Sequence, residues 1–164
     1  MNSPTPPFDA AQYRQVLGHF PTGVTVITAI NDGDPVGLAV GSFSSLSLDP
    51  PLVLFCPGSQ SSSWPKIRAA GSFCVNILAA SQEHVCRVFA SKEPDKFASI
   101  GWTRTKQTGS PLIDGVLAWI DCDIETVLPG GDHDIVVGRV RDLDSADSTG
   151  PLVFYRGGYG RYEV

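Results

Sequence analysis

Short apolar runs separated by Gly, Pro, Asn and Asp recur along the chain and predict strands more often than helices. Residues 24–30, VTVITAI, are dense in β-branched residues, which is typical of a buried strand. The next four residues, Asn-Asp-Gly-Asp, predict a tight hairpin, because Asp-Gly tolerates the positive φ angles of such a turn. Residues 34–51 then return antiparallel, pass Gly37 and Gly41, and end at two prolines.

The remaining pattern predicts more strands and three helices. Apolar or alternating runs predict strands over residues 51–56, 72–78, 118–127 and 133–143, and residues 151–162 predict one more strand with a glycine-rich tail. Helices are predicted over residues 64–70 and 81–90, and after Asp9, with one docking face formed by Tyr13, Val16, Leu17 and Phe20. Residues 100–109 show little pattern and predict an exposed loop.

This order of elements predicts a mainly β protein with a few short helices. Because hairpins join most of the strands, the simplest arrangement is a small closed antiparallel barrel. We expect one domain over residues 8–164, preceded by a flexible proline-rich tail at residues 1–7. Gly138 interrupts a long predicted strand and is expected to form a bulge or bend.

The distribution of charge narrows the class of ligand. The 164-residue chain carries a net charge of −5, with its acids concentrated in residues 114–147 and its basic residues in residues 66–106. A nucleic-acid backbone requires a broad basic face, which this pattern does not provide. An acidic protein with one local basic stretch fits a small phosphorylated ligand better.

The cysteines and the N-terminal residues indicate a reducing compartment. Cys56, Cys74, Cys86 and Cys122 are widely spaced, have apolar neighbours and form no CxxC pair, so we expect reduced core residues. The three histidines show no metal-ligand spacing with them, so no metal site is expected. The sequence MNSPTPPFDA lacks the features of a signal peptide, and no apolar run approaches the ~18 residues of a membrane helix. A cytoplasmic location is expected.

The sequence contains no familiar catalytic or nucleotide-binding motif. It does contain three polar clusters, each next to the end of a predicted strand. Residues 58–63, GSQSSS, lead into a helix N-terminus and suit an anion, although a plain serine-capped loop fits as well. Ser91-Lys92 with Asp95-Lys96-Phe97 could hold a phosphate and cover an aromatic ring, or form a solvated charged turn. His133 could donate to an amide or phosphate, act as a general acid, or be an ordinary turn residue.

Residues 34–51 add a fourth polar stretch, because Ser42, Ser44 and Ser45 place hydroxyls beside small residues. Small residues let a flat ligand approach the backbone, and hydroxyls suit a phosphate or an oxygen-rich ring edge. A serine-rich barrel strand is the ordinary alternative. Together the clusters indicate a bulky, phosphorylated, aromatic ligand that lies across strand ends.

Several motifs in their order along the chain resemble one family. They are PTGVTVIT, VGLAVGSFSSLSLDPPLVLFCPGSQSSSW, FCVNIL, FASKEPDKF, GGDHDIVVGRV and PLVFYRGGY. This sequence resembles the short-chain flavin reductases, the reductase components of two-component flavin-dependent monooxygenases in the flavin-reductase-like, FMN-binding split-barrel superfamily. The serine-rich and GGDH blocks are most similar to reductases that serve aromatic and steroid-ring hydroxylases.

The resemblance implies an antiparallel, Greek-key split β-barrel that forms a homodimer. It also implies an enzyme that transfers a hydride from NADH or NADPH to FMN or FAD and releases the reduced flavin to a partner monooxygenase. Because the cofactors carry the difficult chemistry, the protein has to stack and hold them. No catalytic triad is then required.

The resemblance further assigns roles to individual positions. Backbone groups would follow the isoalloxazine edge at Val36, Gly37, Leu38 and Ala39. The ribityl chain and phosphate would be reached by Ser42, Ser44 and Ser45. The phosphate or an adenylate half would be held by Ser59 and Ser62, and the phosphate end completed by Ser91, Lys92 and Phe97. NADH would be contacted by the catalytic His133, with Tyr155 and Arg156 nearby.

Two other functions fit the same barrel. One is a flavoprotein that keeps its flavin tightly bound, similar to the pyridoxamine-phosphate oxidases. The other is a non-enzymatic module that binds flavin or haem.

Overall fold

Twelve strands and three α-helices make up the described part of this computed structural model, which covers residues 4–146 and 150–163. The helices are α1 (Ala10–Leu17), α2 (Trp64–Ala70) and α3 (Glu83–Ala90), and a 3-10 turn, Ala80–Gln82, precedes α3. The strands are β1 (Thr22–Gly23), β2 (Thr25–Asn31), β3 (Asp34–Val40), β4 (Ser44–Ser47), β5 (Leu52–Phe55), β6 (Ser72–Ile77), β7 (Trp102–Arg104), β8 (Pro111–Ile113), β9 (Ala118–Gly130), β10 (His133–Ser145), β11 (Leu152–Tyr155) and β12 (Gly158–Arg161). Residues 1–3 of the predicted tail lie outside the described residues, and residues 4–7 are exposed.

The main sheet has seven strands in the order β3-β2-β6-β9-β10-β5-β4, and its described pairings are antiparallel. Its two edge strands, β3 and β4, are consecutive in the chain and are joined by residues 41–43. Four residue steps span at most about 14 Å, so the sheet has to curl until its edges approach each other. The result is a barrel with a split between β3 and β4.

The mainly β, antiparallel split-barrel prediction is confirmed, whereas the expectation of a closed barrel is wrong. Within the described chain, β3 pairs with β2 and β4 pairs with β5, and the two edges are not joined. The β4–β5 pair carries a register shift between Ser45 and Ser47, and such bulges are common at the edges of sheets.

Local signals located several elements correctly. The hairpin between β2 and β3 turns at Asp32 and Gly33, whose φ angles are +52° and +86°. Helix α2 has the predicted bounds, and Gly71 ends it with a φ angle of +76°. The predicted irregularity at Gly138 is also present, as a register shift between Val137 and Gly138 in the β9–β10 pair.

Two hairpins were not predicted. The β7–β8 pair lies where a loop was expected, and the C-terminal run folds into β11 and β12 around a turn at Arg156 and Gly157. Strand β11 also pairs with β1 to form a three-stranded sheet.

Strand β2 is buried because it separates two apolar cores. Ile27 and Ala29 face the inside of the curled sheet, where Phe55 contacts Phe73 edge to face at a centroid distance of 5.0 Å. Val26 faces the outer core, which α3 covers with Val85, Cys86 and Phe89. Because both faces of β2 are buried, its sequence is a run of β-branched residues in which apolar and polar residues do not alternate.

Helix α1 begins where the sequence predicted, since the Asp9 carboxylate accepts a hydrogen bond of 2.8 Å from the Gln12 N–H. The described residues leave most of its predicted docking face uncovered, although the Tyr13 ring stacks on Phe8 at a centroid distance of 6.2 Å. Tyr13, Val16 and Leu17 remain 54%, 61% and 51% exposed, and Phe20 just beyond the helix is 74% exposed. In residues 4–146 and 150–163, no helix combines the length and apolarity needed to cross a bilayer.

Candidate functional site

A cavity of about 370 Å³ lies beside the first half of β3. We call it the lysine cavity, because Lys66, Lys92 and Lys96 line it. Its other walls are the β2–β3 turn with residues 34–37, Ser62 and Ser63 before α2, and residues 93–97 after α3. Four carboxylates share the rim with the lysines, so the cavity is polar and mixed in charge: Asp32, Asp34, Glu93 and Asp95.

This cavity gathers residues that the sequence predicted from separate stretches. Those that line it are Val36, Gly37, Ser62, Lys92 and Phe97. Lys96 belonged to the predicted cluster after the second helix but was given no role of its own, and Lys66 was not among the predicted site residues. Lys66 follows the predicted anion-binding loop, so a charge count for that loop could have identified it.

Strand β3 presents its backbone edge at the split. Residues 31 and 34 flank the two-residue turn between β2 and β3 and form a hydrogen-bonded pair. From this pair onward, opposite residues of the two strands are alternately hydrogen-bonded and not hydrogen-bonded to each other. The N–H and C=O groups of Gly37 and Ala39 therefore point away from β2. The side chains of Val36 and Leu38 pack into the inner core, so a ligand at this edge would meet backbone groups, as predicted.

Gly37 is required by close packing. A Cβ atom at this position would lie 2.7 Å from Cε1 and 2.9 Å from Cδ1 of the Phe89 ring. The absence of a side chain lets α3 pack directly against β3. The same packing brings the loop after α3 to the edge of the strand.

Lys96 bridges this loop and β3. Its ammonium group donates hydrogen bonds to the carbonyl oxygens of Phe89, at 3.0 Å, and Gly37, at 3.4 Å. Burial lowers the pKa of Lys96, because the charged form loses hydration. The ammonium group thus lies at the strand edge where the sequence placed a flat ligand.

Two predicted contacts in this loop have structural roles. The Ser91 hydroxyl donates to the Val88 carbonyl at 2.6 Å and accepts from the Glu93 N–H at 3.2 Å, so it organises the end of α3. The Phe97 ring is buried and contacts the rings of Phe89 and Trp102 at centroid distances of 4.9 and 5.8 Å. Phe97 therefore supports the cavity wall from the core.

The serines after β3 occupy a second region. Ser42 and Ser44 border a cavity of about 530 Å³ together with residues 20–25. The Ser42 hydroxyl donates to the Cys56 carbonyl at 3.1 Å and accepts from the Cys56 N–H at 3.0 Å, so it fastens the start of β4 to the end of β5. Ser44 donates to the Ser45 carbonyl at 2.9 Å, and both residues are exposed on the edge strand.

Ala39 lines a third cavity, of about 180 Å³, which shares Gly23 and Gly41 with the second. The far wall of this cavity is formed by Cys86 and Tyr159, whose sulfur and hydroxyl oxygen are 3.3 Å apart. This hydrogen bond and burial raise the pKa of Tyr159 to about 12. Together the cavities follow β3 from the lysine cavity to the C-terminal hairpin.

His133 is the first residue of β10 and follows a turn. The carboxylate of the preceding residue, Asp132, holds the imidazole ring of His133. The Nδ1 atom lies 2.7 Å from Oδ1 of Asp132, and this contact lowers the pKa of Asp132. Gly58 forms a bridge with His133, and the Ser59 N–H donates to the Asp132 carbonyl at 2.9 Å. The structure therefore places Ser59 beside His133, while Ser62 of the same loop reaches the lysine cavity.

Tyr155 and Arg156 border α1. The Arg156 N–H donates to the Gly18 carbonyl at 2.9 Å, and the Tyr155 ring meets His19 edge to face at 6.4 Å. Both residues are exposed at the turn between β11 and β12.

The arrangement can bind an elongated, partly anionic, flat molecule. The lysine cavity supplies ammonium groups and hydroxyls, and the β3 edge supplies paired N–H and C=O groups for a heterocycle. Among the described residues, no group of three or more His, Cys, Asp or Glu side chains is placed to hold a metal ion.

Comparison with known proteins gives the family. Residues 17–163 match the model of the flavin reductase like domain. A flavin reductase of Pseudomonas putida is 53% identical over 155 residues, which cover 94% of this chain and 91% of that protein. The reductase subunit HsaB of a flavin-dependent monooxygenase from Rhodococcus jostii is 54% identical over 151 residues, covering 92% and 77%.

A solved structure agrees with these relatives. The NADH:FAD oxidoreductase of Streptomyces globisporus, in complex with NAD and FAD fragments, superposes with a TM-score of 0.91. It is 36% identical, and the match covers 99% of this chain and 98% of that one.

This chain belongs to the flavin reductase-like family. The predicted family, the split-barrel class and the enzyme class, a flavin reductase, are confirmed. Enzymes of this class use a flavin and a reduced nicotinamide, as the sequence predicted. The predicted roles of individual site residues stay predictions.

Proposed function

We propose that this protein reduces a diffusible flavin, FMN or FAD, with NADH and supplies it to the oxygenase of a two-component monooxygenase. The observation that carries the proposal is the junction of the lysine cavity with the open backbone edge of β3. The edge suits the ring system of a flavin, and the lysines suit its phosphate. The names of the relatives, a monooxygenase reductase subunit and an NADH:FAD oxidoreductase, support the same assignment.

The protein's share of the reaction is binding and orientation. The nicotinamide and flavin rings would have to stack at about 3–3.5 Å, so that a hydride with its two electrons could pass from NADH to the flavin ring, giving NAD⁺ and the anionic reduced flavin without a proton donor. Backbone groups of Gly37 and Ala39 would fix the flavin ring, and Lys92 and Ser62 its phosphate. Contacts through backbone and small residues suit a flavin that is released after reduction.

The names of the relatives support an inference about the partner. HsaB is the reductase subunit of a flavin-dependent monooxygenase, and the serine-rich block resembles those of aromatic and steroid-ring hydroxylase reductases. We therefore infer a ring-hydroxylating oxygenase as the recipient of the reduced flavin. A cytoplasmic location agrees with the need for NADH.

We also infer a homodimer, because the described residues of the single chain leave an apolar surface uncovered. Val16, Leu17 and Phe20 are each more than half exposed. Light scattering should give twice the 17.5 kDa mass of the chain, and Val16→Glu should shift the protein toward the monomer. A monomeric wild-type protein at micromolar concentration would contradict this inference.

The role of His133 can be tested by mutation. His133→Ala should raise the KM for NADH about tenfold and leave the dissociation constant of the flavin within about twofold, because one hydrogen bond to NADH is lost. His84→Ala, which changes an exposed histidine on α3, is the matched control. An unchanged KM for NADH, or an equal loss of flavin affinity, would exclude this role.

The proposed function is tested by dialysis followed by assays with NADH or NADPH and with FMN, FAD or riboflavin. We expect a colourless dialysed protein that oxidises NADH only after flavin is added. Retained yellow colour and activity without added flavin would indicate the tightly binding flavoprotein. Flavin or haem binding without any NADH oxidation would indicate the non-enzymatic module.

A further inference from the structure

We propose that Lys96 tunes the affinity of the site for reduced relative to oxidised flavin, by placing its ammonium group beside the pyrimidine edge of the isoalloxazine ring. The proposal rests on the proposed function, since it assumes that a flavin lies along β3. It assigns Lys96 a task different from that of the other lysines in the same cavity.

The three lysines of the cavity differ in how they are held. Lys66 and Lys92 are exposed, whereas Lys96 is half-buried. Two carbonyl oxygens, of Phe89 and Gly37, accept hydrogen bonds from its ammonium group. An ammonium group has three donors, so one N–H remains for a ligand. A mobile surface lysine cannot supply a charge at one fixed place, but Lys96 can.

The contact with Gly37 decides which part of the flavin Lys96 would meet. The backbone edge at Gly37 and Ala39 alternates N–H donors with C=O acceptors. The pyrimidine edge of isoalloxazine, with two carbonyls on either side of an N–H, is the part of the flavin that complements such an edge. The dimethylbenzene edge has no hydrogen-bonding groups. Lys96 would therefore lie beside the pyrimidine ring and away from the phosphate.

Reduction changes the charge of that ring. The two-electron reduced flavin is an anion near neutral pH, with its negative charge on the pyrimidine ring, whereas the oxidised ring is neutral. A fixed ammonium group favours the anion, and the effect is stronger where water is partly excluded. Burial lowers the pKa of Lys96, and an anionic ring beside it would oppose this shift.

The decisive measurement is the dissociation constant of oxidised and of anaerobically reduced flavin, with Lys96→Gln compared with the wild type. Glutamine keeps an N–H donor for the two carbonyls and removes the charge. The ratio of the reduced to the oxidised dissociation constant should rise about tenfold, and the midpoint potential of bound flavin should fall by about 30 mV. Riboflavin, which lacks the phosphate, should show the same change.

Controls separate this proposal from its alternatives. Lys96→Arg keeps the positive charge and should keep the ratio within about threefold of the wild type. Lys92→Gln should weaken oxidised and reduced FMN equally, because a phosphate contact does not change with the redox state. Thermal unfolding verifies each fold, and Lys96→Met replaces Lys96→Gln if the latter does not fold.

Two results would overturn the inference. One is an unchanged ratio in Lys96→Gln, and the other is an equal loss of affinity for both redox states that disappears with riboflavin, which would place Lys96 at the phosphate. Both leave the proposed function intact if the wild-type protein binds and reduces flavin. Failure of the wild-type protein to bind any flavin would instead reject the proposed function itself.

Discussion

Replacing Asn76 with alanine is expected to lower the free energy of unfolding by about 3–5 kcal/mol. Asn76 is fully buried on β6. Its amide nitrogen donates to the Thr28 hydroxyl at 3.0 Å and to the carbonyls of Val26 and Pro111 at 3.2 and 3.4 Å. Its amide oxygen accepts from the Ile113 N–H at 2.8 Å.

Asn76 therefore helps to fasten the β7–β8 hairpin to the main sheet, together with Thr28, whose hydroxyl donates to the Pro111 carbonyl, and Asp121, whose carboxylate accepts from Thr108. Alanine would leave the Ile113 N–H without its partner in a site closed to water, and an unsatisfied buried donor costs about 1–3 kcal/mol by itself. The lost amide donors and the space left behind add to this cost. Urea unfolding measures the effect, and the melting temperature should fall by roughly 10 °C.

The matched control is Gln107→Ala, which removes an exposed amide close to the same hairpin. We expect a change within about 0.5 kcal/mol. A loss of less than about 1 kcal/mol for Asn76→Ala would mean that the hairpin is held by other contacts.

Gly37→Val should impair both the fold and the site. The first added carbon would lie 2.7 Å from the Phe89 ring, which is confined by Phe97 at a centroid distance of 4.9 Å. Because the ring cannot swing away, α3 has to move from β3, at a cost of about 1–3 kcal/mol. The displacement separates the Phe89 and Gly37 carbonyls that Lys96 bridges.

We expect the dissociation constant of the flavin to rise roughly thirtyfold in Gly37→Val, which fluorescence titration can measure. Gly160→Val is the control, since a Cβ atom at this strand glycine meets nothing within 4 Å. Flavin affinity equal to that of the wild type would show that the packing of α3 on β3 does not shape the site.

The sequence predicted the elements whose signals are local. The Asp-Gly hairpin, the Asp9 cap and helix α2 with its closing Gly71 each depend on a few neighbouring residues. The β7–β8 hairpin has strands of three residues each and no alternation. Its position depends on residues of the main sheet, among them Asn76 and Thr28, which are distant in the chain, so no local pattern could indicate it.

The sequence predicted only part of the site, because the site also depends on contacts between residues that are distant in the chain. Val36, Gly37, Ser62 and Lys92 come together because β3, the loop before α2 and the loop after α3 converge. Residue type alone does not show whether a hydroxyl is already engaged, and Ser42 and Ser91 turned out to bond the backbone. The task of Lys96 becomes visible only once Phe89 packs on Gly37.

The central claim is that flavin is a substrate that this protein reduces and releases. The most direct test is an anaerobic assay in which a small amount of protein meets excess NADH and a large molar excess of FMN or FAD. The account predicts that the visible absorption of all the flavin is lost, since each protein molecule turns over many flavins. Loss of absorption limited to one flavin per protein chain, or no loss, would contradict it.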